Sequence, residues 1–383
     1  MICSIPAIIL ATDNQKRRIY LGMVARCHSF RYHVAKREEN MKLLKKLSET
    51  PGIPGREEAM RVVVREALTS HVDEITVDRL GNVIAHKKGS SPKVAVAAHM
   101  DEIGFLVSHV DEETGFLRID PVGGFDPRTL IAHRVTVHAR GGATYGLIGT
   151  KPVHILTEEE RKKVPEMKDL FVDIGLSGKE AKEQVHVGDP VTLVQTFTDV
   201  GNLVTGKALD DRLGVYVGIE AVKRLGKHKA DVYFIATVQE EVGLRGARTS
   251  GFAIAPDIGV ALDVTIACDI PGVPAHEHVT RLGKGVAIKV KDSASISHPG
   301  LVQFLMNLAE ERKIQYQLEI LPRGGTDAGA IQPAREGVAV VTISVPTRYV
   351  HTVVETAHKE DIEAAISLLV AFLETCHEAD LRL

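Results

Sequence analysis

Runs of apolar residues alternate with amphipathic segments along most of the chain from Met41 onward. Apolar runs of strand length occupy residues 93–98, 232–238, 258–262 and 338–345, and shorter strand-like runs occupy 74–78 and 82–86. Leu, Val and Met recur with helical spacing over residues 41–49, 56–70, 212–225, 299–312 and 361–375. Strands that alternate with helices build layered sheets, so the pattern predicts an α/β fold with an α/β/α layered domain.

Residues 102–200 break this alternation. Short strand-like runs follow one another there, at residues 105–109, 116–119, 134–138, 145–149, 170–174 and 190–194. Glycine pairs at 123–124 and 141–142 punctuate them, and one short charged helix is expected at 158–163. Such a succession favours a small β-barrel inserted into the layered domain. The predicted organisation is an α/β domain in two parts, 41–101 and 201–376, with the barrel at 102–200 and a tail at 377–383.

The first 40 residues differ from the rest. An apolar start over residues 2–11 precedes a basic stretch that begins with Lys16, Arg17 and Arg18. A secretory signal carries its charge before the apolar run, so this order disfavours one. We interpret residues 1–40 as an extension outside the fold, with Met41 as the natural beginning. A transit peptide is the alternative.

Composition narrows the class of protein. The chain has 383 residues, of which 44% are hydrophobic, so it can bury a substantial core. Its 47 basic and 50 acidic residues give a net charge of −3, which is not the electrostatic signature of a nucleic-acid-binding protein. Absence of an apolar run of about 18 residues argues against a membrane span. The four cysteines lack CxxC spacing, which favours a reducing, cytoplasmic location over a disulfide framework.

Metal-binding and proton-transferring side chains stand where the predicted strands end. They are His99 and Asp101 after 93–98, Glu240 and Glu241 after 232–238, Asp263 after 258–262, His351 after 338–345, and Asp210 where a loop passes into the helix at 212–225. Ligands bind at the carboxyl ends of strands in open α/β sheets, and imidazoles with carboxylates suit divalent cations. The pattern therefore predicts a hydrolytic centre with two metal ions.

Each of these features has a plainer explanation when it is taken alone. A single histidine at a strand end is more often structural, and Asp210-Asp211 could cap a helix. Glu240 and Glu241 could be a solvated pair, and in an extended strand they would point in opposite directions. A bend must then bring one to the metals and the other to a water molecule. The joint placement of these residues favours the metal centre.

Five stretches together resemble the TET (tetrahedral) aminopeptidases, a family of cobalt-activated, deblocking, glutamyl and leucyl aminopeptidases sometimes named cellulase M or endoglucanase M. The stretches are Ala98-His99-Met100-Asp101-Glu102-Ile103-Gly104, Lys207-Ala208-Leu209-Asp210-Asp211-Arg212, Gln239-Glu240-Glu241-Val242-Gly243-Leu244-Arg245-Gly246, Gly324-Gly325-Thr326-Asp327 and Arg348-Tyr349-Val350-His351. The resemblance runs from about Met41 to Cys376.

The resemblance implies a role for each ligand. Asp210 looks like the carboxylate that bridges two metal ions, zinc or cobalt, and the peptide bond after it is expected to be cis. His99 and Asp263 would complete the first metal site, and Glu241 and His351 the second.

The resemblance also implies the catalytic and structural roles. Glu240 would be the general base and acid, and Asp101 would orient His99 through the second imidazole nitrogen. The inserted barrel, which is PDZ-like in this family, would build dimers, six of which form a hollow dodecamer.

The resulting hypothesis is a metalloaminopeptidase that acts on peptides. A neutral, leucine-like preference is expected because no dense basic cluster marks an acidic pocket, and glutamyl and lysyl preferences are open. Arg323 could bind an acidic substrate side chain, but a surface arginine is the plainer explanation. A metal-dependent deacylase of N-acyl amino acids is the main alternative. A glycosidase fits poorly, because the chain has no Trp and only 4% aromatic residues for stacking on sugars. A binding protein without catalysis is a further alternative.

Overall fold

The computed structural model describes residues 41–382. The chain divides into two compact units, Met1–Lys45 and Lys46–Leu383. Of the first unit only residues 41–45 are described, and they are helical. The prediction for residues 1–40 lies outside the described residues.

The strands form one large sheet and one barrel. In chain order they are β1 (Glu74–Val77), β2 (Val83–Lys87), β3 (Lys93–His99), β4 (Gly104–Val110), β5 (Leu117–Val122), β6 (Arg134–Ala139), β7 (Gly142–Thr150), β8 (Leu170–Asp173), β9 (Pro190–Leu193), β10 (Thr198–Val200), β11 (Leu203–Gly206), β12 (Asp231–Thr237), β13 (Ile258–Ile266), β14 (Val286–Lys291), β15 (Tyr316–Ile320), β16 (Ala339–Arg348) and β17 (Glu355–His358).

The helices connect these strands. They are α1 (Glu58–Leu68), α2 (Glu158–Arg161), α3 (Gly178–Gln184), α4 (Leu209–Arg224), α5 (Arg245–Ile254), α6 (Pro299–Arg312), α7 (Ala328–Ile331) and α8 (Lys359–Thr375). Short 3₁₀ turns occupy Pro127–Thr129, Val153–Ile155, Met167–Asp169, Ala275–Glu277 and Cys376–Glu378.

The large sheet has the order β1-β2-β12-β3-β13-β16-β17-β11-β10, and β14 joins β16 to β15. Its centre, β12-β3-β13-β16, is parallel, so the carboxyl ends of these four strands meet at one edge. Nearly every residue of β3 and β13 is buried, which requires cover on both faces of the sheet. Helices α4 and α8 pack against each other and the sheet, and α5 and α7 pack on it through a cluster rich in alanine. The α/β/α architecture predicted from the sequence is confirmed.

The barrel is closed and antiparallel, with the order β4-β5-β8-β7-β6-β9. Alternate residues of its strands point inward and form a separate core that includes Phe105, Val137 and Val172. Val353, from the segment between β16 and β17, inserts into the same core. The barrel predicted in the middle of the chain is therefore present, and it packs against a loop of the layered domain.

Two local expectations were wrong. A second helix, α3, lies in the barrel region in addition to the short charged one, and it begins with a capping box formed by Ser177 and Glu180. Asp263 was expected after a strand that ends at residue 262, but β13 continues to Ile266 because the next residues remain paired with β16. Across residues 41–382, no helix is both long and apolar enough to cross a membrane.

Candidate metal centre

The structure brings the five expected ligands to the carboxyl edge of the central strands. His99 ends β3, Glu241 lies in the turn after β12, Asp263 lies within β13, and His351 follows β16. Asp210 comes from the first turn of α4, where its backbone is not helical. All five side chains line one cavity of about 370 Å³.

Asp210 lies between the two imidazoles. Its Oδ1 is 3.1 Å from His99 Nε2, and its Oδ2 is 3.3 Å from His351 Nε2. His351 Nε2 is also 3.4 Å from Glu241 Oε1. Each carboxylate oxygen of Asp210 thus faces a different potential ligand, which is the arrangement expected of a bridging carboxylate. The peptide bond between Asp210 and Asp211 is cis, as the resemblance implied.

Two groups of side chains could hold a metal ion among the described residues. Donor atoms of His99, Asp210 and Glu241 lie within 4.8 Å of one another, and so do those of His99, Asp211 and Asp263. Asp211 was not predicted as a ligand. Its Oδ1 accepts a hydrogen bond from Gly214 N and its Oδ2 accepts one from His99 N. Asp211 therefore caps the helix, as the plainer explanation suggested, and braces the end of β3.

The turn after β12 separates the two adjacent glutamates. Gln239 has a left-handed backbone conformation (φ 56°), which supplies the bend that the sequence required. The carboxylate of Asp101 is fully buried, and it accepts hydrogen bonds from Glu240 N at 3.1 Å and Glu241 N at 3.2 Å. Asp101 thus fixes the turn. Glu240 Oε2 lies 3.9 Å from His99 Nε2, beside the candidate ligands.

The second nitrogen of His99 faces Asp101. His99 Nδ1 is 3.2 Å from the main-chain oxygen of Asp101 and 3.6 Å from its carboxylate Oδ1. The carbonyl oxygen is therefore the acceptor within hydrogen-bond distance. Asp101 lies where the sequence placed it, but its carboxylate serves the Glu240–Glu241 turn.

Burial and charge strongly perturb the site. Burial raises the pKa of Asp263, Asp211 and Glu240 well above the usual range of carboxylates. Burial has the opposite effect on the imidazole of His351, whose pKa it lowers. Hydrogen bonds with Asp210 and Glu241 outweigh this effect and raise the pKa of His351 to about 12. A buried cluster with more carboxylates than imidazoles is costly unless protons or cations compensate its charge.

The donor set fits divalent metal ions. Imidazole nitrogen and carboxylate oxygen are ligands that zinc and cobalt accept, and in each of two groups such donor atoms lie within 4.8 Å of one another. His351 belongs to neither group, but its Nε2 lies 3.3 Å from Asp210 Oδ2 and 3.4 Å from Glu241 Oε1. The unbalanced negative charge provides the electrostatic reason to bind cations. The residues present therefore suit a metal centre.

The cavity has mainly apolar walls away from the ligands. Val264, Ile266, Leu321 and Val350 line it, together with Arg323 and the glycines at 324 and 325. Beneath the glycines, Asp327 begins α7 and accepts a hydrogen bond from Thr237 Oγ1 at 2.5 Å. The segment 324–327 thus combines a turn beside the cavity with the cap residue of α7.

Glu355 is a residue of the site that no sequence motif indicated. Its buried carboxylate accepts hydrogen bonds from Asp210 N at 3.0 Å and from His351 N at 2.8 Å. Burial, followed by the proximity of Asp210, raises the pKa of Glu355 to about 8. Its position four residues after His351 was the available signal, but bonds to main-chain groups have no side-chain partner that a motif could reveal.

The site is a cluster at the carboxyl edge of a layered α/β domain, and the inserted barrel closes one side of it. This arrangement defines the class of protein, a hydrolase of the peptidase type. The family is defined by the match of residues 81–368 to the model described as M42 glutamyl aminopeptidase. The chain belongs to this family. The resemblance to TET aminopeptidases is thereby confirmed.

Named relatives and solved structures match this protein over most of its chain. The lysyl aminopeptidase of Pyrococcus furiosus is 42% identical over 88% of this chain and 98% of its own length. The solved aminopeptidase APDkam598 of Desulfurococcus kamchatkensis is 45% identical, with a TM-score of 0.85 over 88% of this chain and 95% of that one. The TET1 peptidase of Pyrococcus horikoshii, described as assembling into a tetrahedron or a large octahedral shell, is 35% identical, with a TM-score of 0.79 over 87% and 99%.

Proposed function

We propose that this chain is a metal-dependent aminopeptidase that holds two divalent cations, zinc or cobalt. The ligands are His99, Asp210, Glu241, Asp263 and His351. The observation that carries the proposal is the position of Asp210, whose two carboxylate oxygens face His99 and His351 separately. Bound in a pair, such cations lower the pKa of a water molecule and stabilise negative charge on the scissile carbonyl oxygen.

Glu240 is the proton-transfer residue in this proposal. Its side chain lines the cavity but belongs to neither group of potential ligands. It accepts a proton from the attacking water and delivers it to the leaving amine. Asp101 serves this step by holding the backbone of the Glu240–Glu241 turn.

Glu240, a carboxylate of the cavity that is not assigned as a metal ligand, supports selectivity for the peptide's N-terminus. An α-ammonium group complements buried negative charge, whereas an internal peptide bond or an acylated amine offers no such group. This argument favours an aminopeptidase over a deacylase of N-acyl amino acids.

The preferred N-terminal residue is neutral and leucine-like in our proposal. Four aliphatic side chains, Val264, Ile266, Leu321 and Val350, line the cavity and favour an apolar substrate side chain. Arg323 lines it too, which favours glutamate as a second substrate and disfavours lysine. The family description names glutamyl substrates, whereas the Pyrococcus furiosus relative is a lysyl aminopeptidase. We therefore base the proposed substrate preference on the residues that line the cavity of this chain.

We also propose a homo-oligomer, a dodecamer built from dimers in which the barrel, predicted at residues 102–200, forms contacts between subunits. The barrel strand β7 exposes Tyr145 and Leu147, which are 74% and 55% accessible. Exposed apolar side chains of this kind often mark protein interfaces. Light scattering during size-exclusion chromatography distinguishes a monomer, a dimer and a dodecamer. The cytoplasmic location stays a prediction from the cysteine pattern.

The decisive experiment is an assay of the purified protein on aminoacyl-p-nitroanilides of Leu, Glu and Lys, with N-acetyl-leucine as the deacylase substrate. The metal is removed with a chelator and restored with Zn²⁺ or Co²⁺. We expect release from free aminoacyl substrates only, lost on chelation and recovered with metal. Activity that is unaffected by complete metal removal would refute the proposed mechanism.

A further inference from the structure

Glu355 links the two segments that carry the central ligand and one of the imidazoles. It is the first residue of β17, pairs with Gly206 of β11, and is 2% exposed. Its Oε2 accepts a hydrogen bond from Asp210 N, and its Oε1 accepts one from His351 N. One buried side chain therefore fixes the main chain at two candidate ligands that are far apart in sequence.

Both segments adopt backbone conformations that need such support. His351 and Tyr349 have left-handed backbone conformations, with φ of 61° and 60°, and so has Ala208 just before Asp210, with φ of 55°. Residues without a glycine's freedom hold this conformation only where surrounding contacts stabilise it. The hydrogen bond to His351 N holds one of these positions directly. The hydrogen bond to Asp210 N holds the segment that follows Ala208.

Glu355 is not itself placed as a metal ligand. Both of its oxygens point at main-chain N–H groups of the neighbouring segments, and its backbone lies in the sheet. Its effect on a metal would therefore pass through Asp210 and His351.

We infer that Glu355 is a positioning residue of the metal centre: by accepting the N–H groups of Asp210 and His351, it sets the distance between the bridging carboxylate and one terminal imidazole. The inference rests on the proposed function. According to this inference, the affinity for the cation that His351 and Glu241 would hold depends strongly on Glu355. The affinity for the cation at His99 and Asp263 depends on Glu355 less.

The test compares Glu355→Gln with a matched control elsewhere in the fold. Gln keeps the length of the side chain but places an amide donor against one of the two N–H groups. Asp361 offers the same local arrangement away from the ligands, because its buried carboxylate accepts hydrogen bonds from Gly283 N and Gly285 N. Asp361→Asn therefore disturbs an equivalent pair of hydrogen bonds to main-chain N–H groups without affecting Asp210 or His351.

The readouts are Co²⁺ bound per chain at graded free Co²⁺, the visible absorption of bound Co²⁺, and the melting temperature of the metal-free protein. For Glu355→Gln we expect the first cation to bind within about twofold of wild type and the second about 10–100-fold more weakly, the range seen when residues that orient metal ligands are lost. Asp361→Asn should melt at a lower temperature but bind both cations as the wild type does.

Three outcomes overturn the inference: wild-type affinity for both cations in Glu355→Gln, the same loss in Asp361→Asn, or failure of both Glu355→Gln and Glu355→Asp to fold. The last would make the residue structural. Failure of the proposed function is a separate result, because wild-type protein would then bind fewer than two cations or lack metal-dependent peptidase activity. Glu355→Asp, which keeps the charge but shortens the reach, should fall between Gln and wild type.

Discussion

Glu240 and Glu241 are neighbours in the chain, and Asp101 holds the backbone of both, yet their side chains have different surroundings. Glu241 contacts His351, whereas Glu240 lies beside His99 without joining either group of potential ligands. The left-handed backbone of Gln239 turns the chain just before the two glutamates. Substitutions at these two positions should therefore have different consequences.

Glu240→Gln should abolish most activity and leave the metal in place. Loss of a general base and acid costs about 10²–10⁴-fold in kcat, and an amide of the same size preserves the packing. Glu241→Gln is the matched variant and should lose bound metal. Steady-state kinetics and metal analysis of both proteins check this. Near-wild-type turnover by Glu240→Gln would remove it from the mechanism.

Arg323→Glu should change the substrate preference. An exposed ion pair contributes about 1 kcal/mol, so losing it should lower kcat/KM for the glutamyl substrate about fivefold relative to the leucyl one. Reversal of the charge should raise the lysyl rate. Arg248→Glu, at an exposed arginine on α5, serves as the control. If both variants keep the wild-type ratio of glutamyl to leucyl rates, Arg323 does not read the substrate side chain.

For individual residues, the sequence indicated the contacts that side chains make with other side chains. Histidines and acids at strand ends pointed to the residues that the structure gathers around Asp210. The actual partners of Asp101 and Glu355 could not be predicted, because both carboxylates accept hydrogen bonds from main-chain N–H groups. Any residue type supplies such a group, so no spacing in the sequence reports the contact.

Among the elements, the segment between β16 and β17 is held at two points that both follow His351. Val353 packs in the barrel core, and Glu355 anchors the return into β17. His351 lies between β16 and these two anchors, at the mouth of the cavity. The barrel thus takes part in placing a candidate metal ligand of the layered domain.

Val353→Ala should therefore weaken metal binding as well as the fold. Removal of buried methyl groups costs about 1–3 kcal/mol of unfolding free energy, and His351 loses a support. Val137→Ala, in the same core but on β6, should cost similar stability without a change in metal affinity. Denaturant unfolding and Co²⁺ titration separate the two effects. Equal Co²⁺ affinity in both variants would show that the barrel does not support His351.

Elements with a clear apolar period were predictable, and elements whose apolar pattern is interrupted or weak were not. The central strands and α6 followed from their apolar patterns, and α6 has the predicted bounds, Pro299–Arg312. Strands β14 and β15 carry buried charges, Lys289 and Glu319, which interrupt the apolar pattern but pair with each other inside the fold. Helix α3 was missed because only two of its residues are buried, so it lacks an apolar stripe, although its capping box was visible.

For the whole molecule, the metal ions should contribute to stability. Buried carboxylates from separate segments repel one another, and cations that bind only the folded chain stabilise it by about 3–4 kcal/mol when present at 100–1,000 times their Kd. Chelation should therefore lower the melting temperature, and Zn²⁺ or Co²⁺ should restore it. The Glu241→Gln variant should respond less. A melting temperature unchanged by chelator and metal alike would contradict a structural contribution of the ions.

The glycines at 123 and 124 join the two halves of the molecule at the site. They follow β5 of the barrel, yet a β-carbon at Gly123 would lie 3.3 Å from Glu241 Oε2, and one at Gly124 would lie 3.4 Å from His351 Nδ1. The insertion therefore contributes part of the enclosure around the reacting groups. An insertion transplanted from a relative would therefore need a turn that approaches Glu241 and His351 as closely as these glycines do.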